Sequence, residues 1–278
     1  MATATETAPR PVRNLQAEDL SQPRPAYAVW EVTRACDQPC KHCGSRAGRK
    51  RDGELSLEEM FEVAAALGRL GCREVALIGG EAYLRKDLPQ LIAELHRLGM
   101  RVVMQTGGRK LTRERCRIYK QAGLTGVGVS IDGPRHVHDE LRGNGGSYDA
   151  AMQALENARA EGLIVTANTQ INSLSMPYIR EHFHALVARG MRTWQVQLTT
   201  PMGEAADRPE WLIEPWQIIA VVETLAELQR EAIAKASATG TEPVNIFANN
   251  NIGYFGPHEA TLRTRPGMRP AHWRGCLA

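Results

Sequence analysis

Three cysteines fall within eight residues, in the stretch Cys36-Asp37-Gln38-Pro39-Cys40-Lys41-His42-Cys43. Three thiolates have a definite meaning for metal chemistry. A closed structural zinc site takes four ligands, and a cubane iron-sulfur cluster has four irons to hold, so a set of three leaves one metal position open. An open position can bind a substrate. A zinc site completed by His42 or a distant residue, or three unrelated buried thiols, fits the same spacing, and the following residues must decide. Cys72 and Cys116 sit in helix-to-strand or helical contexts and read as small buried residues.

The elements that must position this stretch follow one grammar from Tyr27 onward: a short β-branched run, a loop, an amphipathic stretch, then a glycine. Gly71, Gly99, Gly123, Gly162, Gly190 and Gly240 each fit a helix C-cap. All but Gly240 are followed within a few residues by a strand-like run. The runs are Tyr27 to Thr33, Glu74 to Ile78, Arg101 to Thr106, Gly126 to Ile131, Ile164 to Ile171 and Arg192 to Thr199. Six strands thus alternate with six helices. Ser56 with Glu59 forms a capping box, Thr112 caps the next helical stretch, and Ser147 precedes another. Strand, helix, strand at this spacing predicts parallel pairing with right-handed crossovers, in an open sheet or part of a barrel. In either case ligands sit beyond the carboxyl ends of the strands.

The residues at those ends are polar, glycine-rich or metal-binding. The cysteines follow the first strand, Gly79-Gly80-Glu81 follows the second, Thr106-Gly107-Gly108 ends the third, and Ser130, Asp132 and Arg142 lie in and after the fourth. Glycines let a backbone approach a ligand closely. Arg142 suits bidentate contact with a carboxylate. Asn168 and Gln170 on the fifth strand, and Gln195 and Gln197 on the sixth, alternate so that each pair shares one face, where a ligand would be met. His136 and His138 read as solvated loop histidines, whereas His182 and His184, two apart on a helix, do not share a face and form no metal pair.

Composition narrows the setting. A chain of 278 residues with 43% apolar residues has ample material for a core. A net charge of +3 does not argue for nucleic acid, and no 18-residue apolar run is available to span a membrane. Met1 to Pro11 lacks a secretory pattern, so the expected compartment is the cytoplasm, where clustered cysteines are metal-binding or catalytic rather than paired.

Cys36, Cys40 and Cys43 together with Gly79-Gly80-Glu81 resemble the CxxxCxxC and GGE motifs of the radical S-adenosylmethionine (SAM) enzymes, with His42 in the place of an aromatic residue. The resemblance implies an α/β fold, a partial (βα)6 TIM-like barrel with a parallel sheet and outer helices. It implies a [4Fe-4S] cluster on the three cysteines, and SAM held by His42, Gly79, Gly80, Glu81, Thr106, Ser130, Asp132, Arg142 and Asn168. The family often has Thr-Asn-Gly where this chain has Thr106-Gly107-Gly108, so one asparagine contact is missing.

His272-Trp273-Arg274-Gly275-Cys276 resembles the start of the SPASM or twitch extension of peptide-modifying members. The expected division is a disordered tail at 1–26, a radical SAM core at 27–255, and a segment at 256–278 leading into an absent or truncated extension. The implied substrate is a ribosomal peptide or protein side chain. Alternatives are a haem-pathway radical SAM enzyme acting on tetrapyrrole side chains, and a non-catalytic iron-sulfur or zinc protein. The basic run Arg46, Arg49, Lys50 and Arg51 is a solvated face or a docking surface for an acidic electron donor such as flavodoxin or ferredoxin.

Overall fold

Seven parallel strands form one sheet in sequence order in the computed structural model, which describes Ser21 and residues 24–264. They are β1 Tyr27–Glu31, β2 Glu74–Ile78, β3 Arg101–Thr106, β4 Leu124–Ser130, β5 Ile164–Ile171, β6 Thr193–Leu198 and β7 Asn245–Ala248. Between and after them run helices α1 Leu57–Arg69, α2 Leu88–Arg97, α3 Arg113–Ala122, α4 Arg135–Arg142, α5 Ser147–Ala160, α6 Ile179–Ala188, α7 Gln217–Thr239 and α8 Glu259–Arg263. Among the described residues β1 and β7 are not paired with each other, so the barrel stays partial.

Alternation along the strands divides the sheet into two chemistries. Val75, Leu77, Val102, Met104, Val127, Val129, Trp194 and Val196 are buried in the apolar core. Each such side chain contributes about 1.5–3 kcal/mol when withdrawn from water. Residues of the other parity, including Gln105, Ser130, Asn168, Gln170, Gln195 and Gln197, are half-buried along the inner face. Strand register places Ser130, Asn168, Gln195 and Phe247 side by side across four strands.

The six glycines proposed as helix stops all take positive φ, from +64° to +109°. That conformation is cheap only for glycine, which is why the punctuation is legible. The capping box of Ser56 and Glu59 is present, and Thr112 accepts from the Arg115 amide. Ser147 is not a cap: it is the first residue of α5, and its hydroxyl faces the buried His138.

Three further features depart from the expectation. Gly240 is followed by a strand after all, the four-residue β7. The stretch holding His136 and His138 is the helix α4 rather than a loop, which buries His138 completely. Packing also continues past 255, since Leu262 of α8 belongs to the same core. The tail at 1–20 and the segment around Cys276 lie outside the described residues.

Candidate functional site

The cysteine loop leaves β1 and is tied down by its own backbone. Cys36 N donates to Gly48 O at 3.0 Å, Gly48 N to Arg34 O at 2.9 Å, and Lys41 N to Leu141 O at 2.9 Å. Cys36, Cys40 and Cys43 line one cavity of about 180 Å³, together with Gly79, Gly80, Glu81, Thr106, Ser130 and Arg142. Seven of the predicted SAM contacts therefore meet there, His42 being the seventh. Asp132 and Asn168 do not line it.

Gly79 and Gly80 are required first by the chain itself. A Cβ on Gly79 would stand 2.5 Å from the Thr33 carbonyl oxygen, and one on Gly80 would stand 2.3 Å from that of Ala35 and 2.7 Å from Cys36 Cβ. Gly80 N and Glu81 N donate to those same carbonyls, each at 2.8 Å. The cysteine loop thus lies directly on the Gly-Gly turn. Glu81 is 3% exposed and accepts from Thr106 Oγ1 and from Gly107 N, the latter at 2.6 Å. Burial raises its carboxyl to about 7 against the lowering effect of these two donors. Thr106 and Glu81 hold each other across the ends of β2 and β3.

A buried ionic network carries the other wall. Asp132, 1% exposed, takes Arg142 Nε and Nη2 on one oxygen at 2.9 and 2.6 Å, and the Gln170 amide on the other at 3.1 Å. His42 Nε2 stands 3.4 Å from Asp132, and its Nδ1 is 3.0 Å from the Leu141 carbonyl. Burial opposes the charge on Asp132, but the Arg142 guanidinium and His42 hold its carboxyl well below the usual range. Asp132 and His42 therefore brace the loop. His138 completes this layer: Asp132 N donates to its Nδ1 at 3.1 Å, and burial pushes its pKa down to about 3.

Asn168 lies one layer down, donating to Gln105 across β4. A Cβ at Gly128 would stand 1.9 Å from Gln105 Oε1 and 2.6 Å from Asn168 Nδ2, so only glycine lets the two amides meet. Sequence reasoning missed Gln105 and Gln38. Gln38 is buried inside the cysteine motif and reaches Glu81 at 3.5 Å and Ser147 at 3.4 Å. Gln38 was in view within the motif, whereas Gln105 carries no local pattern. In the basic run, Arg46 is paired with Asp207 and Glu204, and Arg51 with Glu31, while Arg49 and Lys50 are exposed.

The donor set fits a polynuclear cluster. Three sulfurs spread around one cavity suit a cluster that offers each a different iron. Burial pushes the Cys36 thiol up to about 12 and also raises that of Cys40, so metal loading must displace protons.

Comparison with known proteins agrees with this geometry. The Radical SAM superfamily profile matches residues 30–189. An Fe-coproporphyrin III synthase of Methanosarcina barkeri is 37% identical over 60% of this chain and 42% of its own length. The mycofactocin maturase MftC of Mycolicibacterium smegmatis is 31% identical over 66% of this chain and 47% of its own length. The chain thus spans less than half of either relative. Streptococcus suis SuiB bound to S-adenosylmethionine superposes with a TM-score of 0.66 at 15% identity, over 87% of this chain and 55% of SuiB. Native anSMEcpe with bound AdoMet gives 0.63 at 15% identity, over 79% of this chain and 63% of that one. The chain belongs to the radical SAM superfamily, a family of enzymes that use a [4Fe-4S] cluster and S-adenosylmethionine.

Proposed function

We propose that Cys36, Cys40 and Cys43 hold the cluster, that Gly79 to Glu81, Thr106 and Ser130 border the SAM position, and that the substrate is a ribosomal peptide or protein side chain. When bound, the cluster and SAM supply reductive cleavage to methionine and a 5'-deoxyadenosyl radical, which takes a hydrogen atom from the substrate. The chain's part is to bind and orient the reactants and exclude water. Glu81 closes the β2 and β3 ends under the cavity, and Ser130, with no side-chain hydrogen bond among the described residues, presents its hydroxyl to it.

One observation carries the peptide reading: the inner face presents the neutral amides Gln105, Asn168, Gln170, Gln195 and Gln197. These match the donors and acceptors of a peptide backbone. The cation on that face of the described strands, Arg101, is already paired with Glu74 at 3.1 Å. A tetrapyrrole carrying several carboxylates wants free guanidinium or ammonium groups. The second reading, tetrapyrrole chemistry, is favoured by the relative named as an Fe-coproporphyrin III synthase. No helix among the described residues is long and apolar enough to cross a membrane, and we assign the chain to the cytoplasm. Its reductant is an acidic donor of the flavodoxin or ferredoxin kind, docking at the exposed Arg49 and Lys50.

The test is anaerobic reconstitution, then SAM and dithionite with 5'-deoxyadenosine as the readout, alongside titration of Fe-coproporphyrin III into the chain. The reading expects 5'-deoxyadenosine and no saturable shift of the porphyrin absorption band. A saturable, one-to-one shift would overturn the peptide substrate, and absence of 5'-deoxyadenosine would overturn the reaction.

A further inference from the structure

Each of the three sulfurs accepts one N–H, but the donors differ in kind. Cys36 Sγ accepts from the Gln38 amide and Cys43 Sγ from the Ala47 amide, both at 3.4 Å. Cys40 Sγ instead faces Arg142 Nη1 at 3.7 Å. The other two donor atoms of that guanidinium are spent on Asp132. Arg142 is 8% exposed, and the end of α4 that carries it is pressed against the cysteine loop: a Cβ on Gly143, at φ +62°, would stand 2.5 Å from the Pro39 carbonyl oxygen. Leu141 O accepts from Lys41 N on the same side. The guanidinium is therefore fixed by a buried carboxylate on one side and aimed at a single thiol on the other.

We propose that Arg142 acts on the cluster through Cys40: it is a positioning residue whose Nη1–H donates to the Cys40 thiolate and raises the reduction potential of the cluster, with Asp132 as its brace. The inference rests on the reading that Cys40 ligates the cluster, and it replaces the expected contact of Arg142 with the SAM carboxylate. Hydrogen bonds to the sulfurs and local charge set the potentials of such clusters. The donation stabilises the reduced cluster more than the oxidised one, because one-electron reduction by the external donor adds negative charge to iron and sulfur. Guanidinium stays charged at all working pH values, so the effect is built in rather than switched. Buried Asp132 balances it, which makes a charged donor tolerable at that depth.

The experiment is a dithionite potentiometric titration of the reconstituted chain, followed by electron paramagnetic resonance of the reduced cluster. The variant is the double substitution Asp132→Asn with Arg142→Gln, which removes both buried charges together, and Arg142→Lys serves as a second. The expected result is wild-type iron content with a midpoint shifted to more negative potential in the double variant, and a smaller shift in the same direction for Arg142→Lys. An unchanged midpoint with weaker SAM binding would overturn the proposal and return Arg142 to the SAM carboxylate. If the double variant does not fold, Arg142→Lys decides alone, and an unshifted midpoint there overturns the proposal. Failure of the wild-type chain to take up iron would overturn the underlying reading of Cys40, an outcome distinct from an unshifted midpoint.

Discussion

The rim of the sheet and its inner face are both polar, but they spend their polar groups differently. At the rim, Asp132, Arg142, His42 and Glu81 are buried and bonded to one another or to the cysteine loop. On the inner face Gln195 makes no side-chain hydrogen bond among the described residues, and Asn168 Oδ1 is buried without a partner. A buried group left alone costs about 1–3 kcal/mol, so a chain keeps such groups only where something else meets them. The rim is finished by the protein itself, as a cofactor cradle must be. The inner face leaves Gln195 and Asn168 Oδ1 open, while Gln105, Gln170 and Gln197 are bonded within the protein.

That contrast breaks most visibly at the cysteines. Cys40→Ala should abolish iron uptake and 5'-deoxyadenosine formation together, while the folded apo chain persists by circular dichroism. Retention of either signal would place the chemistry elsewhere. Asp132→Ala comes next, since it strands the Arg142 charge in the interior. About 3–5 kcal/mol should be lost in urea denaturation of the apo chain. A loss under about 1 kcal/mol, typical of exposed pairs, would mean that the rim is not a closed network.

Acid should test the layer beneath. His182 accepts no proton readily, because burial pushes its pKa down to about 4 and its Nδ1 has no partner. The unfolded chain binds that proton near pH 6.5, so His182 should lower stability by roughly 3 kcal/mol as the pH drops from about 6.5 to 4, in addition to the loss from His138. His182→Gln should flatten this slope, and an unaltered slope would show that another group carries it. Gly80→Ala should cost about 1–3 kcal/mol by driving a methyl group into the Ala35 carbonyl. A neutral result would mean the cysteine loop yields easily. The smallest effect belongs to the inner face: Gln195→Leu should change stability by about 0.5 kcal/mol or less. A larger loss would show that this amide serves the fold and not a substrate.

Legibility in the sequence followed the range of the constraint. The C-cap glycines, the capping box and the cysteine spacing are set by neighbours within a few residues, and all are found where the pattern places them. The strand β7 is four residues long, too short to display alternation. Gln105 and Asn168 are 63 residues apart and meet only because β4 carries Gly128 between them. His138 looked like a solvated histidine because its partners, the Asp132 amide and Ser147, come from the loop before α4 and from the first residue of α5. Arg142 was recognised as a site residue, but its bonds to Asp132 and its approach to Cys40 were not, since a sequence cannot show which neighbours a guanidinium meets.

The central claim is that three cysteines leave one iron open to SAM, and electron paramagnetic resonance of the dithionite-reduced, reconstituted chain tests it most directly. The account predicts about four irons per chain and a spectrum that changes when SAM is added. Identical spectra with and without SAM, or about one zinc per chain in place of iron, would contradict it.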